Sequence, residues 1–231
     1  MTAALLALVA PSLTLLSPMN LQVVQRETRD RGTVLLSGRC AGGCDRVEFR
    51  VTGNPAFGKL TDKWQAVKVE SSGAFNRWSA MPAGGWYRLE ARAYRGREVV
   101  ASAVVEQFGV GEVFLGAGQS NSTNSGQFQI KQSSGMVSSF SGSDWRIAND
   151  PQPGCHDNST GGSFWPAFGD AMYAKFKVPI GVAVTGHGGT SVDRWQPGGD
   201  LFPWTLQRVL QMGRGGFRAM LWHQGESDVS K

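Results

Sequence analysis

Short segments with alternating apolar and polar positions occupy the first half of the chain. Five of them are rich in β-branched or aromatic residues and are bounded by turn residues: Thr33–Ser37, Arg46–Val51, Gln65–Val69, Trp86–Tyr94 and Glu98–Val105. Alternation is typical of strands with one buried face and one solvated face. Repeated strands without a helical period predict a small antiparallel β-sandwich of the immunoglobulin or fibronectin type over residues 12–108.

The hydrophobic pattern changes near Phe108. Three nearly continuous apolar segments follow, and they predict strands buried on both faces: Gly109–Gly116, Val178–Val184 and Phe217–Trp222. Two stretches between them place apolar residues on one helical face, namely Trp165, Phe168, Met172 and Phe176, then Leu206, Val209, Leu210 and Gly213. Alternating strands and helices predict an α/β domain with a parallel sheet over residues 109–231.

Each of these three apolar segments ends in a polar, glycine-rich cluster. The clusters are Gly118–Asn121, Gly186–Ser191 and His223–Asp228. Ligands of open α/β sheets bind outside the carboxyl ends of the strands. The sequence therefore predicts a functional site where the three clusters meet.

The clusters contain the residue types that acyl transfer requires. Ser120 follows a buried strand at a corner where Gly118 lets the backbone bend, although the Gly-x-Ser-x-Gly pattern is not met because residue 122 is Ser. The Gly188–Ser191 turn offers backbone N–H donors for an oxyanion, and the Gln224 amide offers another. Taken singly, each cluster also fits an ordinary turn or a helix N-cap.

The ordered set of motifs resembles a known family. Gly111–Asn121, then Gly188–Ser191 with Trp195, then Leu221–Asp228 look like the sialate O-acetylesterase branch of the SGNH (GDSL-like) hydrolases. The resemblance implies a three-layer α/β/α domain, hydrolysis of acetyl esters on sugars, and no cofactor. Family members often carry a β-sandwich, in agreement with residues 12–108.

The same resemblance assigns roles to individual residues. Ser120 is the implied nucleophile, and its own N–H, the Gly189 N–H and the Gln224 side chain form the implied oxyanion hole. Three further residues have implied supporting roles: Gln119, Asn121 and Glu226.

One element of the family pattern is missing from this sequence. The family supplies its general base from an Asp-x-x-His motif, but none of His156, His187 and His223 has an Asp three residues before it. A serine triad needs a histidine within reach of the nucleophile. The expectation is a C-terminally truncated, inactive fragment, with His223 as the local alternative base.

Composition narrows the possible partners and the location. Hydrophobic residues make up 41% of the 231 positions, which allows a packed core. The net charge is +5, but the Lys and Arg residues are scattered along the chain and form no basic run, which argues against nucleic-acid binding. No segment is long and apolar enough to span a bilayer. Acetylated carbohydrate is the expected partner, and the sequence predicts no particular protein partner.

The cysteines and the first residues favour export. Cys40 and Cys44 are separated by a glycine-containing tripeptide that fits a small disulfide loop, with zinc binding as the rival interpretation. Cys155 is left over. Residues 1–11 are interpreted as a leader stub, although their pattern is atypical. Together these features predict a secreted or periplasmic protein.

Two other functions remain open at this point. A non-catalytic carbohydrate-binding or adhesion protein would use the indoles of the predicted sandwich, Trp64, Trp78 and Trp86. A metal-dependent hydrolase would use His187, His223 and Asp193. For the esterase, both sialate and plant polysaccharides are candidate substrates.

Overall fold

The computed structural model describes residues 10–229 and has a mixed α/β architecture. The leader proposed for residues 1–11 therefore lies almost entirely outside the described residues. The strands are β1 (Ser12–Ser17), β2 (Gln22–Gln25), β3 (Arg31–Ala41), β4 (Arg46–Gly53), β5 (Gln65–Lys68), β6 (Ala74–Pro82), β7 (Trp86–Arg95), β8 (Glu98–Gly118), β9 (Val137–Phe140), β10 (Trp145–Ile147), β11 (Ile180–Val184) and β12 (Ala219–His223). The helices are α1 (Trp165–Phe176) and α2 (Leu201–Gln211).

The first part of the chain forms two facing sheets. One contains β1, β3 and β6, and the other contains β5, β4, β7 and the beginning of β8, all in antiparallel pairs. Buried residues alternate along β3 and β4, as the sequence pattern predicts for strands with one solvated face. Val34 and Leu36 share a core cluster with Phe49 and Leu89 of the opposite sheet. Burial between the sheets is therefore the main source of their cohesion.

β8 is a single long strand where the sequence pattern predicts two strands. It pairs antiparallel with β7, then parallel with β2, and finally parallel with β11 and β12. Two glycines of β8 mark a close approach: a Cβ on Gly109 would lie 2.8 Å from the Pro179 ring, and one on Gly111 would overlap the Pro179 carbonyl. Residue 109 thus lies inside a strand that connects the facing sheets to the parallel strands.

The second part is built on parallel strands in the order β9, β11, β8 and β12, with β10 antiparallel to β9 at the edge. Consecutive residues of β8 point to opposite faces. Phe114 packs edge-to-face on Phe168 of α1, whereas Val113 and Leu115 cluster with Val209 of α2. The two helices therefore cover opposite faces of these strands.

The apolar face predicted for α2 is only partly confirmed. Val209 packs against the core, but Leu206 and Leu210 are 43% and 71% exposed and Gly213 lies beyond the helix. The reason is that periodicity does not report how much of a helix the neighbouring elements cover.

β12 differs from the prediction of strands buried on both faces. All five residues of β11 are buried, but Met220 and Trp222 of β12 are 42% and 43% exposed. The reason is that β11 lies between β8 and β9, whereas within the described residues β12 pairs with β8 alone. Apolar composition did not distinguish a central strand from an edge strand.

The cysteines are divided between the two parts of the chain. Cys40 and Cys44 form a disulfide at the end of β3. Cys155 is a free, partly buried thiol in the loop before α1. Within residues 10–229, no helix has the length and apolar character needed to cross a membrane.

Candidate active site

The three polar clusters meet around Gly118 at the end of β8. The Gln119 N–H donates to the His223 carbonyl (2.8 Å), and the His187 N–H donates to the Gly118 carbonyl (2.9 Å). Gly118 has φ +123°, and a Cβ there would overlap the His223 carbonyl oxygen. Glycine is needed at this corner because it permits both the backbone angle and the close approach of β12.

Ser120 begins a short 3-10 turn, Ser120–Ser122, directly after this corner. The Ser122 N–H and hydroxyl both donate to the Gln119 carbonyl, at 2.8 and 2.7 Å. The buried Trp165 indole of α1 donates to the Ser122 carbonyl at 3.0 Å. The half-buried Ser120 has no hydrogen bond from its hydroxyl or its N–H to any residue of the described chain. Both groups are therefore free to act on a bound molecule.

The glycine turn after β11 lies directly beside Ser120. A Cβ built on Gly188 would lie 3.6 Å from the Ser120 Cβ. The Gly188 N–H is engaged by the Asp157 carboxylate (2.6 Å), whereas the Gly189 N–H has no hydrogen-bond partner among residues 10–229. Gly189 has φ +67° and open space around its Cα. The N–H groups of Thr190 and Ser191 are likewise without a partner in the described chain, so the turn presents three available backbone donors, of which Gly189 is the first.

The third cluster is tied to both of the others. The Gln119 side-chain carbonyl accepts the N–H groups of Gly225 (3.3 Å) and Ser227 (3.0 Å). The Gln224 amide nitrogen donates to the Thr190 carbonyl (2.8 Å) and to Asp228 (2.6 Å). Because both of its hydrogens are engaged, Gln224 must release one acceptor before it can donate to an oxyanion.

Glu226 connects Asn121 to the end of β12. Its Oε1 accepts a hydrogen bond from the Asn121 amide (2.6 Å) and lies 3.0 Å from His223 Nε2. Hydrogen bonds to this carboxylate hold its pKa below the usual range. The largest contribution comes from the backbone of Glu226 itself, and the side chains of Asn121 and His223 add to it. Glu226 is therefore ionised at neutral pH and fixes the orientation of both partners.

The other two histidines contact each other on the far side of the glycine turn. Their Nδ1 atoms are 2.6 Å apart, and the His156 ring packs edge-to-face on Trp204. Burial, together with the charges of His156 and Arg194, lowers the pKa of His187. In the part of the chain that the structure describes, no group of three or more His, Cys, Asp or Glu side chains is placed to hold a metal ion, so His187, His223 and Asp193 do not form such a group.

Sequence reasoning identified the three turns that form the candidate site, but it did not predict the contact between Asp157 and Gly188. Gln119, Ser120, Asn121, Gly189, Gln224 and Glu226 all lie in the three turns that meet around Gly118. Asp157 belongs to a separate loop and is 31 residues from its partner Gly188. No motif marks it in the sequence.

These features define an α/β protein with its candidate site at the carboxyl ends of parallel strands. Residues 110–231 match the model of a carbohydrate esterase family described as sialic acid-specific acetylesterase. The match covers more than half of the chain. The chain belongs to this carbohydrate esterase family, and the alternative of a non-catalytic binding protein is not favoured.

One solved structure shares the fold of this chain, and a second shows a weaker similarity. A carbohydrate acetylesterase from Xanthomonas citri is 19% identical, with a TM-score of 0.55, and the match covers 93% of this chain and 52% of that chain. This chain thus spans about half the length of that protein. A protein from Arabidopsis thaliana is 23% identical with a TM-score of 0.45, covering 51% of this chain and 58% of that one. No match is found among curated proteins.

Proposed function

We propose that this chain carries the nucleophile and the oxyanion donors of a serine esterase that removes O-acetyl groups from carbohydrates. Ser120 is the proposed nucleophile. The α/β part, residues 109–231, is proposed to be the N-terminal portion of an SGNH-type three-layer domain. Helices α1 and α2 on opposite faces of the parallel strands support that assignment.

One observation carries the proposal, namely the set of unpartnered donors around Ser120. The Ser120 hydroxyl, the Ser120 N–H and the Gly189 N–H have no hydrogen-bond partner among residues 10–229. The adjacent N–H groups of Asn121 and Thr190 are also without a partner there, whereas the Ser122 hydroxyl and the Gly188 N–H are engaged. Backbone N–H groups in folded proteins are normally satisfied. Two free N–H groups beside a free serine hydroxyl are what an oxyanion hole requires.

The proposed reaction is acyl transfer in two stages. The Ser120 Oγ attacks the acetyl carbonyl carbon, and the carbonyl oxygen becomes an oxyanion that accepts hydrogen bonds from the Ser120 and Gly189 N–H groups. Gln224 adds a third donor by leaving Asp228. A general base takes the Ser120 hydroxyl proton during the attack and gives it to the sugar oxygen as the tetrahedral intermediate expels the sugar alcohol. The same base then takes a proton from water, which hydrolyses the acetyl-serine to acetate and restores the serine hydroxyl. Each oxyanion donor contributes about 100–1000-fold to the rate.

The general base is proposed to lie outside residues 1–231. Among the described residues, neither His223, which contacts Glu226, nor His187, which contacts His156, makes a hydrogen bond to Ser120. Neither has the Asp-x-x-His context of the family. Residues 1–231 alone are therefore proposed to be nearly inactive, and His223 is the first residue to mutate if they are not.

The proposed substrate is an acetylated sugar, either a sialate or a plant polysaccharide. A secreted or periplasmic location is proposed as well. The Cys40–Cys44 disulfide supports that location, since disulfides persist mainly in oxidising compartments.

The test is acetate release from p-nitrophenyl acetate, acetylated xylan and O-acetylated sialate. Residues 1–231 are compared with a version that includes any native sequence after Lys231. We expect activity in the longer version, its loss in Ser120→Ala, and near-normal activity in Ser125→Ala, a matched change in the same loop. An unchanged rate in Ser120→Ala would refute the proposal.

A further inference from the structure

The loop before α1 lies against the glycine turn and is bound to it at three successive points. The His156 N–H donates to the Gly186 carbonyl (2.9 Å), the imidazoles of His156 and His187 meet at 2.6 Å, and Asp157 Oδ2 accepts the Gly188 N–H at 2.6 Å. Consecutive contacts of this kind fix one backbone segment relative to another. Asp157 makes the contact nearest Ser120.

The other oxygen of Asp157 is also held. Its Oδ1 accepts the Ser159 N–H (3.2 Å) and a short hydrogen bond from the Ser159 hydroxyl. The Ser159 Oγ in turn accepts the N–H of Asn124 (3.1 Å), a residue of the loop that begins with Ser120. Through these bonds Asp157 bridges the serine loop and the glycine turn, and its orientation is fixed from both sides.

Asp157 remains ionised in this position. Burial acts to raise its pKa, but hydrogen bonds from Ser159 and from the Gly188 N–H outweigh that effect and hold the pKa below its usual range. A carboxylate that accepts from a backbone N–H forms a charge-assisted bond, which is shorter and stronger than a neutral one. The Gly188 amide is therefore firmly held.

This bond engages one amide of the turn and leaves the following amides available. The Gly188 N–H points to Asp157, and the next amide, that of Gly189, is left without a partner in the described part of the chain. Gly189 has open space around it and no side chain of its own to restrain its orientation. Without Asp157, the flexible Gly188–Gly189 pair is free to turn its donors elsewhere.

We propose that Asp157 is a positioning residue that holds the Gly188–Gly189 turn beside Ser120 so that the Gly189 N–H points at the oxyanion. This inference rests on the proposed function of Ser120 and Gly189. Both carboxylate oxygens are used to hold backbone groups, and Asp157 makes no hydrogen bond to Ser120. Misplacement of a catalytic group by about 1 Å lowers the rate by about 100-fold.

The test measures kcat and KM for acetate release in the version of the protein that includes any native sequence after Lys231. We expect Asp157→Ala to lower kcat by about 100-fold with little change in KM, because the donor acts on the transition state. Asp157→Asn keeps an acceptor for the Gly188 N–H but loses its charge, so we expect partial rescue, to within about 10-fold of the wild-type kcat.

Asp170→Ala is the matched control. Asp170 also accepts two backbone N–H groups, those of Ser133 and Ser134, but it lies on α1 and holds the segment before β9. Its loss should lower the melting temperature and leave kcat within about 2-fold, since it does not hold a donor in place. Equal kcat values for Asp157→Ala and Asp170→Ala would overturn the inference.

A second measurement does not depend on activity. The amide proton of Gly188 should resonate downfield in the NMR spectrum and move upfield in Asp157→Ala, since it loses a charge-assisted bond. An unchanged Gly188 resonance would also overturn the inference. Ser120→Ala separates the two hypotheses: if it stays active, the proposed function fails, and if it is inactive while Asp157→Ala is normal, only the positioning role fails.

Discussion

Replacement of Glu112 should reveal how strongly β8 is bound to its neighbours. Glu112 is buried in the middle of β8, where it pairs with Arg26 of the segment after β2 (2.7 Å) and with Arg218 just before β12 (2.7 Å). Gln25 donates a further hydrogen bond at 2.9 Å. One carboxylate thus joins three segments of the chain, and Glu112→Gln removes its charge with little change in shape.

The size of the effect follows from the exposure of the two arginines. The Arg26 side chain is 7% exposed and would be left as an uncompensated buried cation, whereas Arg218 is 46% exposed and can be solvated. Removing one partner of a buried pair costs about 3–5 kcal/mol. At about 2–4 °C per kcal/mol for a chain of this size, Glu112→Gln should lower the melting temperature by about 6–20 °C.

The assay is thermal unfolding followed by circular dichroism, with Glu90→Gln as the control. Glu90 also pairs with two arginines, Arg50 and Arg88, but all three are solvated, so its loss should cost about 1 kcal/mol or less. The reasoning would be refuted if Glu112→Gln lowered the melting temperature no more than Glu90→Gln does.

The pH dependence of the stability of the wild-type protein and of Glu112→Gln gives an independent check. Burial acts to raise the pKa of Glu112, but hydrogen bonds from Arg218, Gln25 and Arg26 outweigh it and lower the pKa overall. A lowered pKa in the folded state contributes stability above the unfolded-state pKa, and this stability is lost as the pH falls through the folded-state pKa. The stability difference between wild type and Glu112→Gln should therefore be constant near neutral pH and shrink in acid.

Three other changes test the surroundings of the site. Gly118→Ala should separate β12 from β8 and lower stability by about 2–3 kcal/mol in urea denaturation, because its Cβ meets the His223 carbonyl. Gly213→Ala, at φ +70° with open space around the added Cβ, should cost only about 1 kcal/mol. Trp165→Phe leaves the carbonyl at the serine turn unpaired and should cost about 1–3 kcal/mol by the same assay. Burial raises the pKa of Cys155 to about 12, so a disulfide reagent at pH 8 should modify it slowly in the folded protein and rapidly in urea.

Local pattern was sufficient to predict much of the fold. The predicted strands Arg46–Val51 and Trp86–Tyr94 correspond to β4 and β7, and the helical face that begins at Trp165 corresponds to α1. These predictions succeeded because alternation and helical periodicity record which side of an element is buried. The same reasoning placed Ser120 at the end of a buried strand.

The errors arose where long-range contacts decide the outcome. The pattern predicts separate strands at Glu98–Val105 and Gly109–Gly116, but they are one strand, β8, in which Gly109 and Gly111 pack against Pro179, far away in sequence. The solvent exposure of β12 depends on which strands pair with it, and composition does not report that. Asp157 was missed for the same reason, since a lone aspartate in a loop acquires its role only through contact with Gly188.

The hydrogen bonds around Ser120 separate groups that hold the site from groups that are left available. The Ser120–Ser122 turn is fixed by β12 through the Gln119 N–H, by α1 through Trp165, and by the loop that carries Asp157 through Asn124. Supporting groups that are satisfied before a ligand arrives require little reorganisation during a reaction. The donors without a partner in the described chain cluster on Ser120 and on the turn that begins at Gly189, so a bound molecule can accept hydrogen bonds from them without breaking any that hold the site.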